Sequence, residues 1–486
     1  MISLRLLRSS NGQPVEIAPD SEINSGGEAR IYAVDSDCAL VAKVYRRPKP
    51  ETGRKLRVML EYPPSDPTAD QGHASIAWPV DLLQSEGDGS VAGYLMPRVI
   101  GAHPILDLFN PSARREACPL FSYQYLYRSA HNLAAVMDAL HDRDYVIGDV
   151  NESNILVMDT ALVTVVDTDS FQVPDRVGKA VFHCPVAKPE FTPPELQGDV
   201  SQTVERTPSH DRFGLAVLIF QLLMEGTHPF SGVYVGEDDP PPYEARILAG
   251  HYPYGTAETP YSPLLMAPPI EILPSVIRTL FLRSFEDGHK NPSARPHASA
   301  WVKALEEAER DLVVCGVNDQ HLYGNHLNVC PWCRRAALLG GRDPFPSKLR
   351  VISGRHREPI PVTSQSALPS ASAPSIAEAV SAMSPPVGTD LSGHRQNALE
   401  ADSLAAFTQA VKTTAQRLLA RVRSAAERLR AKRGPKRTPR RITYTQRDTP
   451  STYFSSEGKV FRVPWQLLLV VLAVILVVVA VGLSRH

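Results

Sequence analysis

The sequence predicts an α+β fold in two lobes, a strand-rich one followed by a helix-rich one. Three observations carry this. Residues 1–97 alternate short apolar runs with turn residues, the pattern of strands joined by tight loops. From residue 121 the apolar residues recur at helical spacing instead. Hydrophobic residues make up 43% of the 486, enough to bury a sizeable core within the two or three domains this length admits.

The elements support the class in order. "EARIYAV" and "LVAKVYR", residues 28–34 and 40–46, alternate or run apolar as strands do. "KLRVMLEY", residues 55–62, reads as a short helix before "PPSDP". "FSYQYLYRSAHNLAAVMDALHD" starts at residue 121 and has no Pro or Gly to interrupt a helix. "RFGLAVLIFQLLMEG", residues 212–226, is apolar almost all round, as a central buried helix is. "PSVIRTLFLRSF" and the end of "NPSARPHASAWVKALEEAERDL" are helix-like as well. The first lobe is expected over residues 1–97 and the second over 98–312.

Six cysteines in so long a chain argue against a disulfide-built secreted fold. The N-terminal stretch has no long apolar core and no cleavage site, so no signal peptide is expected. "CGVNDQHLYGNHLNVCPWC" holds Cys315, Cys330 and Cys333 with two histidines. A Cys pair two apart can hold one ion from a tight turn. Cys315 and His321, with His326 as the fallback, would complete a tetrahedral Cys3His set for a structural Zn2+ knuckle over residues 313–340. A redox CxxC would need a thioredoxin-like βαβ unit around it, and none is legible. Cys38, Cys118 and Cys184 are isolated and read as ordinary buried or unreactive thiols.

Residues 341–398, rich in Pro, Ser and Ala from 354 onward, read as a disordered linker. The net charge of −1 conceals an uneven distribution: residues 412–447 hold 13 Lys or Arg and one acid, and the remainder holds 38 bases and 51 acids. Residues 399–447 read as a basic juxtamembrane segment with an amphipathic stretch, Leu404, Phe407, Val411, Leu418, Val422 and Leu429 recurring at helical spacing. "WQLLLVVLAVILVVVAVGL", residues 465–483, is apolar except for Gln466. As a helix it would reach roughly 28 Å, about the thickness of a bilayer's hydrocarbon core. A single membrane-spanning helix is expected over 464–483. The basic residues before it put the lobes on the cytoplasmic side of the cell membrane.

The chemistry is concentrated in a few short runs. In "LHDRDYVIGDVNESNILV" a carboxylate, Asp149, stands five residues before a carboxamide, Asn154, and an apolar run follows. Asp167 ends the next strand-like run, in "VTVVDTDSFQV". Upstream, Gly26 and Gly27 lie between two strands and Lys43 lies inside one. Phosphoryl transfer needs such a set: backbone amides and a lysine for the phosphates, an Asp and an Asn for Mg2+, and a second Asp for the acceptor hydroxyl. Each part alone is weak, but the ordered set is specific.

With these motifs, residues 15–312 resemble a bacterial eukaryotic-type (Ser/Thr) protein kinase domain. The pattern "GD(x)NxxNILV", the run "VDTDSFQ" and a downstream cysteine-rich knuckle are those of kinases found in gene triads with a PPM-type phosphatase and a von Willebrand A protein. The resemblance implies a bilobal protein-kinase-like fold, ATP and Mg2+ as cofactors, a protein substrate, and no nucleic acid. It gives Lys43 the α/β-phosphates, Asp149 the catalytic-loop role, and Asn154 and Asp167 the metal. Gly26 and Gly27 would line the nucleotide. It makes "PEFTPPELQG" the end of the activation segment, with Glu195 paired to Arg295 and Asp211 as an anchor.

The departures from the pattern are specific. Asn24 and Ala29 stand where two loop glycines are usual. Gly148 replaces the Arg before the catalytic Asp, which removes the obvious cationic partner for a phosphorylated activation loop. Asn151 replaces the lysine two residues after that Asp. Asp167-Thr168-Asp169 replaces an Asp-Phe-Gly turn and leaves Asp169 open as a metal contact or a solvated residue. The acidic partner of Lys43 is also open, with Glu51 and Glu61 flanking the short helix. Two other readings stay in play, a nucleotide-binding pseudokinase scaffold at the membrane and a small-molecule kinase.

"RVRSAAERLRAKRGPKRTPRR", residues 421–441, is expected to touch anionic lipid, at about 1 kcal/mol per base near the surface. A fragment ending at Thr449, before the apolar run, should sediment with anionic vesicles, release in salt and ignore neutral vesicles. If it stays in solution with anionic vesicles at low salt, these charges serve orientation alone.

Overall fold

In the computed structural model, which describes residues 4–360 apart from 177, 179, 199–203 and 238, the first lobe is built on one antiparallel sheet. Its strands are β1 (Leu4–Arg8), β2 (Pro14–Ile17), β3 (Glu22–Ser25), β4 (Ala29–Ala33), β5 (Leu40–Tyr45), β6 (Asp81–Ser85) and β7 (Val91–Pro97), in the order β2-β1-β6-β7-β5-β4-β3. Lys43 on β5 faces Ile31 of β4 on one side and Tyr94 of β7 on the other. Side chains alternate along a strand. Ala42 and Val44 therefore join Leu6, Val15, Leu83 and Leu95 in one core, while Val41 and Tyr45 pack on the opposite face, into the core that continues through the second lobe.

That second face is covered by helix α1 (Pro50–Glu61). The helix starts five residues earlier than "KLRVMLEY" suggests, because Pro50 supplies a first-turn residue that needs no N–H partner. It buries Gly53, Lys55, Leu56 and Met59 and leaves both of its glutamates, Glu51 and Glu61, exposed.

The second lobe begins with β8 (Ala102–Pro104), α2 (Ile105–Phe109) and α3 (Pro111–Ala117), and continues into the long helix α4 (Tyr123–His141). β9 (Ile155–Met158) and β10 (Val163–Val165) form a hairpin that pairs with β8. Helix α5 (Pro208–Leu223) buries every residue from Phe213 to Leu223, as its all-apolar sequence demands. Ser275–Leu282 and Ala298–Arg310 are the two further helices expected from the sequence.

The stretch Pro189–Leu196 is fastened to this lobe at two points. Glu195 receives both guanidinium nitrogens of Arg295, at 2.6 and 2.7 Å, and Arg295 is fully buried. His228 donates from Nε2 to the Glu190 carbonyl at 2.9 Å and accepts the Phe230 N–H on Nδ1 at 3.2 Å.

One boundary moves. The linker expected from residue 341 starts later, since residues 341–360 belong to the described fold and include the helix Lys348–Ile352. The reason is apolar docking within a polar stretch: Phe345 packs on the rings of Tyr123 and Trp332 and lies 4.5 Å from the buried Arg114 guanidinium. The rest of the linker, the basic segment over 399–447 and the apolar run over 464–483 lie outside the described residues. Among the described residues no helix is long and apolar enough to cross a membrane.

Burial pushes the His228 imidazole down to about 4, with the Glu190 bond opposing the shift. A folded value below the ordinary 6.5 means that the folded chain binds fewer protons than the unfolded chain between those two pH values. The contribution is intact above pH 6.5 and is lost as pH falls toward 4, to a limit of about 3 kcal/mol. His228→Gln is therefore expected to flatten the acid limb of stability, read as urea midpoints across that range. An unchanged acid limb would remove His228 from the account.

Candidate active site

The glycine turn joins β3 to β4. Gly26 N–H donates to the Ala29 carbonyl at 2.9 Å, and Arg46 braces the turn through Gly26 O at 3.1 Å and Ser25 Oγ at 2.6 Å. Neither Gly26 nor Gly27 has a positive φ, and a Cβ at Gly27 would meet nothing within 4 Å. The turn itself does not require glycine. The missing side chain at Gly27 leaves the backbone there open to close approach, which suits a phosphate.

Lys43 is buried, and its Nζ donates to Asp167 Oδ1 at 2.6 Å and to Asp169 Oδ1 at 2.5 Å. Burial works against the ammonium, but Asp169 and Asp167 outweigh it and hold Lys43 above the usual lysine value. Neither Glu51 nor Glu61 is its partner. The solvated alternative for Asp169 is excluded too. Its side chain is 10% exposed against 43% for Asp167. Its carboxylate also accepts from Tyr94 Oη at 2.8 Å and Tyr45 Oη at 2.7 Å, so donors occupy it where a metal contact would have to form. Burial alone would raise the Asp169 carboxyl, yet Lys43 and the two tyrosines hold it below the usual range.

The rest of the turn is equally tied. Thr168, fully buried in the place of the expected Phe, donates to the Ala77 carbonyl at 2.9 Å. Ser170 Oγ donates to Asp167 O at 2.8 Å. Lys55, on the buried face of α1, donates to the Asp169 carbonyl at 2.6 Å, and burial lowers it to about 8 although Asp169 opposes the shift. Asp167 itself is left-handed, with φ 63°, a region Asp enters more readily than most residues.

Asn154 and Asp167 come together through the β9–β10 hairpin. Ile155 faces Val165, and Val166 N–H donates to Asn154 O at 2.9 Å, so both side chains sit at one end of the ladder. The Asn154 amide nitrogen donates to Asp149 O at 3.1 Å and approaches Asp149 Oδ2 at 3.4 Å. That bond fixes the amide orientation and leaves its oxygen as the atom able to ligate. Asp149 is pushed up by burial, against the hydrogen bonds from Asn151 and Asn154.

Asn151 does not point outward as the lysine at its position would. It is buried, donates to Asp149 O at 3.0 Å and accepts from Ser153 N–H at 2.8 Å, so it shapes the loop. Gly148 has φ 76°, and a Cβ there would lie 2.7 Å from Cys184 Cβ and 2.8 Å from Arg206 Nη1. The sequence points to no cationic partner in this region, but Arg206 supplies one from a distant segment, donating to Val186 O at 2.8 Å. Asp211 anchors the loop from α5, accepting Ile147 N–H at 2.7 Å, Gly148 N–H at 2.8 Å and His141 Nε2 at 3.0 Å.

The knuckle residues also converge. Leu312–Val314 and Leu322–Gly324 form a hairpin, and Cys330 opens the helix Pro331–Leu338. One ligand atom from each of Cys315, His321, Cys330 and Cys333 lies within 4.8 Å of the others. Cys315 and Cys333 Sγ are 3.6 Å apart, and His321 Nδ1 is 3.6 and 3.4 Å from Cys330 and Cys333 Sγ. A tetrahedron with Zn–S bonds of about 2.3 Å has edges of about 3.8 Å, so the donor set fits zinc. His321 Nε2 bonds Asp343 Oδ1 at 2.8 Å, which directs Nδ1 to the cysteines. His326 instead donates to Glu271 O at 3.1 Å and is no ligand. Of the isolated thiols, Cys38 is exposed rather than buried, and Cys118 Sγ donates to Asp159 Oδ1 at 3.1 Å.

Sequence reasoning missed Lys55, Tyr45, Tyr94, Arg206 and Asp343, and it singled out Asp169 without its role as the partner of Lys43. The one signal available was the second acid two residues after Asp167, inside an otherwise apolar stretch.

Comparison with known proteins gives the following. No family model matches the chain. Two curated relatives, both called protein kinase YegI, come from Escherichia coli O157:H7 and Escherichia coli strain K12. Each is 35% identical, over 322 and 317 residues, which is 65% and 64% of this chain and 48% of theirs. The chain thus spans about half the length of the curated relatives it matches. Among solved structures, a ROP18 kinase domain in complex with AMP-PNP and sucrose has 17% identity and a TM-score of 0.41, over 63% of this chain and 82% of that one. By sequence, then, about two thirds of this chain is similar to about half of the protein kinase YegI.

Proposed function

We propose that the chain is an ATP-dependent protein kinase that transfers the γ-phosphate to Ser or Thr hydroxyls of proteins. Its lobes would lie on the cytoplasmic side, tethered by residues 464–483 to the cell membrane. The observation that carries the reading is the convergence of Lys43, Asp149 with Asn154, and Asp167 from three separate segments onto one site. Similarity to YegI over 65% of the chain supports it.

In this reading Asp149 accepts a hydrogen bond from the acceptor hydroxyl and aims its lone pair at the γ-phosphorus. As the new O–P bond forms and the bond to the leaving ADP oxygen breaks, the hydroxyl proton passes to Asp149. The upward push on its carboxyl suits that task. Lys43 and the amide at Gly27 would hold the phosphates, while Gly26 N–H closes the turn on the Ala29 carbonyl. The Asn154 oxygen and the exposed Asp167 carboxylate would hold Mg2+, which when bound neutralises phosphate charge. Pro189–Leu196 is the platform on which a protein substrate would dock, which favours a protein over a small molecule as the acceptor. A second reading, a nucleotide-binding pseudokinase scaffold, is favoured by Asn151, whose amide turns into the loop and offers the γ-phosphate no cation.

Incubation of the chain with labelled ATP, Mg2+ and a general protein substrate separates the two. Asp149→Asn is expected to slow transfer by about 10²–10⁴-fold while nucleotide binding stays near the parent's. Asp167→Asn should weaken Mg2+-dependent binding as well. Equal rates for Asp149→Asn and the parent would refute the role of Asp149, and binding without any transfer in the parent would select the scaffold.

The second metal is proposed as one structural Zn2+ per chain on Cys315, His321, Cys330 and Cys333. Elemental analysis is expected to find about one equivalent. Cys330→Ser should lose the metal and lower the melting temperature, because ligand free energy is also folding free energy. Asp343→Ala should weaken metal retention by about 10–100-fold. A metal-free protein with a Cys330–Cys333 disulfide contradicts the assignment.

A further inference from the structure

We infer that Asp169 is the positioning residue for Lys43, the buried carboxylate that holds the ammonium in place for nucleotide phosphates. This rests on the kinase reading above and goes beyond it. Lys43 touches two carboxylates, and they are not equivalent. Asp167 is nearly half exposed, and the proposed function commits it to a metal. A carboxylate that turns toward a metal is no longer a dependable partner for a buried lysine. Asp169 is enclosed, and its two oxygens are held by three donors, Lys43, Tyr94 and Tyr45.

Helix α1 offers no substitute. Its two glutamates lie exposed near its ends, and the buried position facing the turn is Lys55. A second cation there repels Lys43 and cannot serve as its counterion. It serves the turn in another way, by satisfying the Asp169 carbonyl. Lys43 and Asp167 are therefore set by the single turn 167–170, and a swing of α1 alone cannot part Lys43 from its carboxylate. The turn is in turn pinned by Thr168 on Ala77.

The test uses the full chain and a double-mutant cycle on nucleotide affinity, read by displacement of a fluorescent ATP analogue, with circular dichroism as the fold control. The variants are Asp169→Asn, Lys43→Met and the pair together. Asp169→Asn is expected to weaken binding in the parent and to change nothing further in the Lys43→Met background, because it acts through Lys43. In the transfer assay it is expected to lower kcat by about 100-fold, as misplacement of a phosphate-binding group does. Asp169→Glu, which keeps the charge, should recover part of that loss. A purely structural Asp169 predicts additive effects and an unchanged kcat per folded molecule, and either result overturns the inference. If Asp169→Asn does not fold, the pair Tyr45→Phe and Tyr94→Phe takes its place, with the same coupling to Lys43 required. A parent that binds no nucleotide sinks the kinase reading itself. A parent that binds and transfers, with an additive cycle, sinks this inference alone.

Discussion

The buried pair of Lys43 and Asp169 is the constraint on which the site depends. Moving two ions out of water costs several kcal/mol for each, and the pair is tolerable only when further hydrogen bonds fill the remaining sites. Here they do. Tyr45 and Tyr94 come from β5 and β7, and Lys55 reaches the same residue's carbonyl from α1. Sheet and helix, the two structural parts of the first lobe, are thus tied to a single turn of the second. An unpaired charge left at this place would destabilise the fold far more than the pair stabilises it, so the arrangement specifies geometry more than it adds stability.

The stretch Pro189–Leu196 is fastened by the same logic. Arg206 occupies the space beside Gly148, where any side chain would collide, and binds the Val186 carbonyl just before that stretch. Glu195 and His228 hold the stretch at two further points, each through a buried partner. A side chain at position 148 would meet Cys184 and Arg206, so the absence of an arginine before Asp149 follows from sterics.

Much of this was legible in the sequence, for identifiable reasons. Lys43, Asp149, Asn154 and Asp167 could be named because strand and hairpin geometry forces them together once their spacing is given. Helix α5 could be named because its apolar residues cover every face. The pairing of Asp169 with Lys43 could not, because the Asp169 partners Tyr94 and Lys43 are 75 and 126 residues away and nothing local marks them. Lys55 carries no local mark either, since a sequence window does not tell which face of a short helix a turn will cover. Arg206 and Asp343 were hidden for a related reason, as both sit in polar stretches whose docking is decided by distant atoms. Residues 341–360 were read as linker because their few anchors, Phe345 above all, are diluted among polar neighbours.

Those anchors also explain why the knuckle is part of the second lobe rather than a bead on a string. Cys315, Cys330, Trp332 and Phe345 belong to the same continuous core as α4 and α5. Arg114 is fully buried, spans from Leu108 O at 2.6 Å to Pro344 O at 3.3 Å and lies over the Phe345 ring. Asp343 holds His321 from the outside while the cysteines face its other nitrogen. The imidazole is therefore the point at which the segment after the knuckle and the knuckle itself are joined. Whatever orders the four donors also orders residues 343–345, and through them the base of the second lobe near α3 and α4. A structural metal at that point would act on the catalytic loop only through this packing, since Asp149 is positioned independently by Asp211, Asn151 and Asn154.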